Sequence, residues 1–376
     1  MPKVAIVTSG YPMVSETFVI RHVEFLFDGN TVIVARSFDS SFSENNKQRP
    51  IFSYSESRLV KLIRPIVNKI LGRPYNSVIF GNKRGLKKFI LDNEVECIIA
   101  EFGHLAGVFS DVAKEMDIPY FIYFRGSDAS SGIRVKRKLK LYKSVVKSSA
   151  AVFSVSNSLL NNLKSSGVVL PKCYIIPSGV DTDLFKPSIK DPNKILYAGR
   201  FVEKKQPLFI IRSFSEIVSS FPDSKLYMIG SGPLLTEAKK LAYELGIENN
   251  IIFLGSQPHS EVASHMADTS ILIQHSVTDK KGATEGLPSI IQEAMSSEVV
   301  VIGSKHAGIP EAIDDQINGF LVEEYSQEEL VATVLKLFYD RSLISCIGKN
   351  ARRTALEKFD RKIIIKKTES KIKLHM

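Results

Sequence analysis

The chain has 376 residues, 44% hydrophobic and 24% charged, with a formal net charge of +10: enough for two cores, and the balance of a globular protein, not a disordered or fibrous one. No apolar run approaches the ~20 residues that span a bilayer, and Met1-Pro2-Lys3 runs straight into Val4-Ala5-Ile6-Val7, so no leader is expected and the protein is placed in the cytoplasm. Cys97, Cys173 and Cys346 have no paired spacing and the seven histidines no ligand spacing, which argues against a disulfide framework and a structural metal.

In chain order, the pattern predicts strands at residues 4–8, 32–35, 97–100, 120–124, 151–155 and 173–176, with helical periodicity between them, as at 16–26 and 105–116. Ser15 is the expected cap of the helix that starts beside Glu16. Residues 37–50 read as a polar loop. Glu101-Phe102-Gly103-His104 and Arg125-Gly126-Ser127-Asp128 each follow a strand, so both are expected at the same sheet edge. His104 can exchange a proton or bind a hydroxyl, and Asp128 can cap a turn or contact a ligand. The charge excess lies wholly in this half: residues 1–187 hold 26 Lys and Arg against 16 Asp and Glu, whereas residues 188–376 hold 24 of each. Arg134, Lys136, Arg137, Lys138, Lys140 and Lys143 form one basic run. Between Arg58 and Lys88 basic residues alternate with Leu59, Leu62, Ile63, Ile66 and Ile70, a pattern that suits an anionic membrane surface. No zinc finger, RNP-like aromatic pattern or DNA-binding helix pair supports nucleic acid.

The second half repeats the scheme. Strands are expected at 195–198, 225–229, 251–254, 271–274, 299–302 and 319–322, and helices at 207–220, 233–245, 261–266, 288–297 and 327–338. Val299-Val300-Val301-Ile302 is the kind of apolar run a doubly covered parallel strand requires. The fold class is therefore α/β, two Rossmann-like doubly wound parallel sheets. The expected divisions are 1–187, 188–358 and a helical tail at 359–376 that packs back on the first domain, with the ligand in a cleft between the domains at the strands' carboxyl ends.

Three loops of this half carry chemistry. Gly199-Arg200-Phe201-Val202-Glu203-Lys204-Lys205 follows a strand, so Arg200 and Lys205 are placed to clamp a diphosphate. Gly230-Ser231-Gly232-Pro233 resembles a dinucleotide loop, but Leu235 stands where the third glycine would be. It reads as a tight turn lining the nucleotide side. Thr284-Glu285-Gly286-Leu287-Pro288 opens a helix that contains Glu293. Pro288 suits a first helical turn. Gly286 allows close backbone approach. The helix start favours an anion, with a carboxylate on either side for hydroxyls.

Together these segments resemble the family 4 (group 1) glycosyltransferases of the GT-B fold. The resemblance is densest from Gly199 to Val322 and includes the Glu-x7-Glu pair Glu285 and Glu293, Ala307-Gly308-Ile309-Pro310-Glu311 and Asn318-Gly319. Pro177-Ser178-Gly179-Val180-Asp181 also fits, and Ser15-Glu16-Thr17-Phe18 with Gly126–Asp128 resembles the colanic-acid-type branch that builds bacterial exopolysaccharides. The resemblance implies a retaining, metal-independent hexosyltransferase in surface polysaccharide biosynthesis, without a cofactor. Arg200 and Lys205 would hold the donor diphosphate, Glu293 the ribose, and Glu285 with Gly286 and Leu287 the donor sugar. Gly199, Pro288, Gly230 and Gly232 would shape the donor pocket. His104 joins the catalytic candidates, and Ser15, Glu16, Arg125 and Asp128 are the expected acceptor or sugar contacts. Members of this branch commonly carry His where Glu101 and Arg125 stand. The implied partners are a nucleotide-sugar donor and a polyprenyl-diphosphate-linked glycan acceptor at the inner face of the membrane. The alternatives are a non-hydrolysing nucleotide-sugar epimerase on the same fold and a non-enzymatic lipid- or nucleic-acid-binding protein.

Overall fold

In the computed structural model, which describes residues 1–13, 16–39 and 49–376, the chain forms two compact units. The first comprises Met1–Pro177 and Ile365–Met376, the second Ser178–Ile364.

The first unit is built on β1 (Val4–Tyr11), β2 (Thr31–Phe38), β3 (Ile51–Ser53), β4 (Cys97–Ala100), β5 (Tyr120–Phe124), β6 (Ala151–Ser154) and β7 (Cys173–Ile175). All pairs are parallel and the order is β3-β2-β1-β4-β5-β6-β7. The central strands are apolar on both faces because helices cover both, so Ile6, Ile99, Phe121, Ile122 and Phe153 are fully buried. β3 has no counterpart among the expected strands: three residues at the sheet edge are too few to show a period.

The second unit uses β8 (Asp191–Ala198), β9 (Lys225–Ile229), β10 (Ile251–Gly255), β11 (Thr269–Gln274), β12 (Val300–Ser304) and β13 (Phe320–Val322), in the parallel order β10-β9-β8-β11-β12-β13. Its core joins Ile195, Tyr197, Phe201, Phe214, Met228, Ile271 and Ile302. The order reverses between β1 and β4 in one sheet and between β8 and β11 in the other. Loops diverge there, leaving a crevice beyond the strand ends where such sheets bind ligands.

Residues 178–187 pack with the second unit, although the strand pattern groups them with the first. Their polar groups account for this. Gly179 N–H donates to Gln292 Oε1 (2.9 Å), Val180 bridges Asp360, and Arg352 donates to the carbonyls of Thr182 and Phe185. The terminal helix Arg361–Lys373 ends on the first unit, where the Phe27 N–H donates to Glu369 (2.6 Å) and Tyr174 Oη meets His375 Nε2 (2.7 Å).

Candidate functional site

At the crevice of the second sheet, the loop after β8 and the loop after β11 are tied by the Val277 N–H donating to the Lys204 carbonyl (3.0 Å). This brings Lys204 Nζ to 3.1 Å and Lys205 Nζ to 3.0 Å from one oxygen, Glu285 Oε1. The carboxylate is buried, and burial alone would raise its pKa. The Lys205 and Lys204 ammonium groups more than offset this and hold it at about 2. Burial pulls the Lys205 pKa down, against the opposing pull of Glu285. Glu285 is thus a fixed negative charge between two cations, and the cluster keeps one positive charge in excess. Lys204, not among the expected site residues, is an equal partner in it.

Glu285 is also positioned through its backbone. Its N–H donates to His306 Nε2 (3.4 Å), whose Nδ1 meets Glu324 Oε1 (2.7 Å). Because Nε2 accepts, the ring proton sits on Nδ1 and goes to the carboxylate. His275 lies beside this pair. Its Nε2 accepts from the Tyr325 N–H (3.1 Å), its ring stacks on Phe209, and burial with the neighbouring His306 lowers its pKa to about 4. Both histidines stand just past the carboxyl ends of β11 and β12. That position is a signal sequence reading could have used.

Gly286, Leu287 and Pro288 are buried at the entry of the helix Ser289–Ser296, and Pro288 is its N-cap. One turn in, Glu293 is 5% exposed and its Oε1 lies 3.1 Å from His259 Nε2, whose ring packs on Phe185 at 4.9 Å. His259, at the carboxyl side of β10, is a second residue the spacing did not reveal. Arg200 is exposed. Its carbonyl accepts from Tyr197 Oη (2.9 Å), and Gly199 N–H donates to Ile229 O (3.0 Å), so this turn is fixed while the guanidinium faces solvent.

Gly230 (φ +133°) and Gly232 (φ +153°) owe their identity to this packing: a Cβ on Gly230 would lie 2.0 Å from Gly199 O and one on Gly232 2.5 Å from Phe201 O. The double glycine lets one strand-end loop lie on another and so sets the height of Arg200.

In the first unit the equivalent crevice holds a buried ionic cluster. Glu101 Oε1 is 2.6 Å from His22 Nδ1, and Oε2 is 2.5 Å from Arg125 Nη2. The guanidinium is sandwiched between the rings of Phe18 (3.9 Å) and Tyr123 (3.7 Å). Burial would raise the Glu101 pKa, but the facing His22 and Arg125 bring it to about 2. A carboxylate and a guanidinium thus neutralise each other at this crevice. Glu16 lies beside them, its pKa raised by burial and by Glu101. Asp128 spends both oxygens on backbone, accepting from the N–H groups of Gly103 (3.0 Å), Gly126 (2.9 Å), Arg125 and Ala129 (both 3.1 Å). Its geometry is that of a loop former, the capping alternative of the sequence reading. His104 is half-buried beside Phe102, and burial lowers its pKa, so it is neutral at pH 7. Ser15 lies outside the described residues.

Cys97, Cys173 and Cys346 are all free thiols. Among the described residues no group of three or more His, Cys, Asp and Glu is gathered as a metal would require, and no helix is long and apolar enough to cross a membrane.

Two family descriptions match this chain in tandem: Glycosyltransferase Family 4 over residues 28–184 and Glycosyl transferases group 1 over residues 180–354. It is 24% identical over 249 residues to AmsK of Erwinia amylovora, named an amylovoran biosynthesis glycosyltransferase, covering 64% of this chain and 61% of that protein. It is also 24% identical over 277 residues to WcaL of Escherichia coli (strain K12), named for colanic acid biosynthesis, covering 72% and 68%. In fold it is similar to Anabaena HepE, solved with UDP and glucose (TM-score 0.80, 16% identity, 99% of this chain and 100% of that one). It is likewise similar to sucrose-phosphate synthase of Thermosynechococcus elongatus (TM-score 0.78, 15% identity, 100% and 99%).

Proposed function

The chain belongs to the group 1 glycosyltransferases, and from that premise we propose that it moves a hexose from a nucleoside-diphosphate sugar to a polyprenyl-diphosphate-linked glycan, with retention of configuration, during bacterial exopolysaccharide synthesis. The observation that carries this reading is the pair of partly buried ammonium groups on the buried Glu285 at the crevice of the second sheet.

In glycosyl transfer the bond from the anomeric carbon to the diphosphate oxygen breaks, and negative charge grows on the departing phosphate. Cations already in place stabilise that charge without reorganisation. Lys205 and the solvent-facing Arg200 are assigned to the diphosphate. As the phosphates draw Lys205 away, Glu285 is left to accept hydroxyls of the donor sugar, with the Gly286 and Leu287 backbone beside it. Glu293, held by His259, takes the ribose hydroxyls. The acceptor hydroxyl attacks from the side the diphosphate leaves and gives it the proton. Neutral His104 and half-buried Glu16 are assigned to sugar or acceptor hydroxyls. UDP and UDP-glucose bound to HepE make a nucleotide sugar the natural donor class.

In this reading the lysines and Arg200 take the part of a divalent cation. Transfer is accordingly expected to survive excess EDTA, measured as free nucleoside diphosphate together with glycosylated acceptor. Loss of transfer restored by Mn²⁺ would refute metal independence, and altered sugar released without acceptor would indicate an epimerase. The basic first domain suits a cytoplasmic enzyme working at an anionic membrane, where a lipid-linked acceptor resides.

A further inference from the structure

The helix Arg58–Ile70 carries an apolar ridge on its exposed side. Ser57 caps it, its side chain accepting from the Val60 N–H. Its buried residue is Asn68, which donates to the Ser77 carbonyl (2.8 Å). Its outer face carries Leu59, Leu62, Ile66 and Ile70, which are 67%, 73%, 61% and 78% exposed, and Leu71 just beyond is 53% exposed. At about 100° per residue the four fall within an arc of roughly 80°, with Arg58 and Lys69 along one edge. An apolar ridge this continuous on a soluble face marks an interaction surface.

The charge around the ridge identifies the partner. No Asp or Glu occurs from residue 57 to residue 91, while nine Lys and Arg do. Arg58, Lys61, Lys69 and Lys140 make no ion pair among the described residues. Beside the ridge is a hollow of about 400 Å³ lined by Lys69, Arg73, Tyr75, Arg137 and Lys140, with the Arg137 guanidinium over the Tyr75 ring at 3.7 Å. A protein partner would have to bring a matching acidic, apolar face. A bilayer with anionic lipids supplies acyl chains for the ridge and phosphates for the hollow in one surface.

We propose that Arg58–Ile70 is an interfacial helix: its Leu59-Leu62-Ile66-Ile70 ridge lies among acyl chains, and the hollow beside it takes the phosphate of an anionic lipid headgroup. This rests on the reading of a membrane-bound acceptor and names the surface that reading requires. The test is flotation of the full chain with vesicles of phosphatidylcholine, with and without phosphatidylglycerol. Wild type is expected to float with the anionic vesicles. The Leu62→Glu/Ile66→Glu variant should partition at least tenfold less, and Lys69→Glu and Lys140→Glu about fivefold less each. Because these side chains are at the surface, nucleotide-induced thermal shifts should match wild type in every variant. Equal flotation of Leu62→Glu/Ile66→Glu and wild type would overturn the helix assignment while leaving membrane contact through another surface. No flotation of wild type would remove both, with the donor site judged separately by the thermal shift. A dimer that the double variant dissociates would assign the ridge to a second copy and also overturn the proposal.

Discussion

Lys205→Ala is expected to lower the transfer rate by about 10²–10³-fold, with the protein still folded. The two halves of that expectation have separate causes. Lys205 contributes a preformed positive charge next to the carboxylate that the donor must face. The fold survives because Glu285 keeps Lys204 at 3.1 Å, so its buried charge is not left without a counterion. The measurement is kcat/KM for the donor together with thermal unfolding of the same preparation. A wild-type rate in the variant would show that Lys205 is only a structural partner of Glu285. A cooperative unfolding transition lost altogether would mean that the lysine serves the fold first.

Glu101→Gln is expected to be the most destabilising single change in the first unit, costing about 3–5 kcal/mol at pH 7. The carboxylate has no exposure and holds two groups at once, His22 and Arg125, so its removal takes from both the charge they face at 2.6 and 2.5 Å. The pH dependence gives the change a signature. The folded-state pKa of Glu101 is about 2, below its ordinary 4.5, so its contribution is fully present above pH 4.5 and is lost as pH falls from 4.5 towards 2. Over that window the depression is worth about 3 kcal/mol. Glu285 titrates in the same sense, so the informative quantity is the difference between wild type and variant. Urea unfolding at pH 7 and at steps between pH 5 and 2.5 should show that difference shrinking with acid. A difference that stays constant across the window would mean that the Glu101 charge does not stabilise the fold.

What could be read in advance follows from what leaves a local trace. Strands covered on both faces, such as Val300–Ser304, announce themselves as apolar runs, and Pro207–Ser220 opens at its proline as expected. Ile51–Ser53 is too short for any period. In the site, Glu285, Glu293 and Lys205 were accessible because each lies on a loop or helix that follows a strand of one sheet. The groups that set their behaviour were not. His22 meets Glu101 across 79 residues and His259 meets Glu293 across 34, and such contacts exist only once the sheet order is known. Lys204 and Lys205 are adjacent in sequence, and only the turn after β8 brings both onto one oxygen. The glycines at 230 and 232 read as a tight turn for want of a third glycine, and the structure adds the backbone carbonyl pressed against each. The period of Arg58–Ile70 was visible as well. That Asn68 is its buried residue, donating to the Ser77 carbonyl, was not.

The central claim is that the cationic pair beside Glu285 receives a nucleoside diphosphate. Isothermal titration of the folded protein with UDP and with GDP tests it most directly. Saturable heat with at least one of them, abolished or strongly weakened by Lys205→Ala, is the predicted result. A folded wild-type protein that gives no heat with either nucleotide would contradict it.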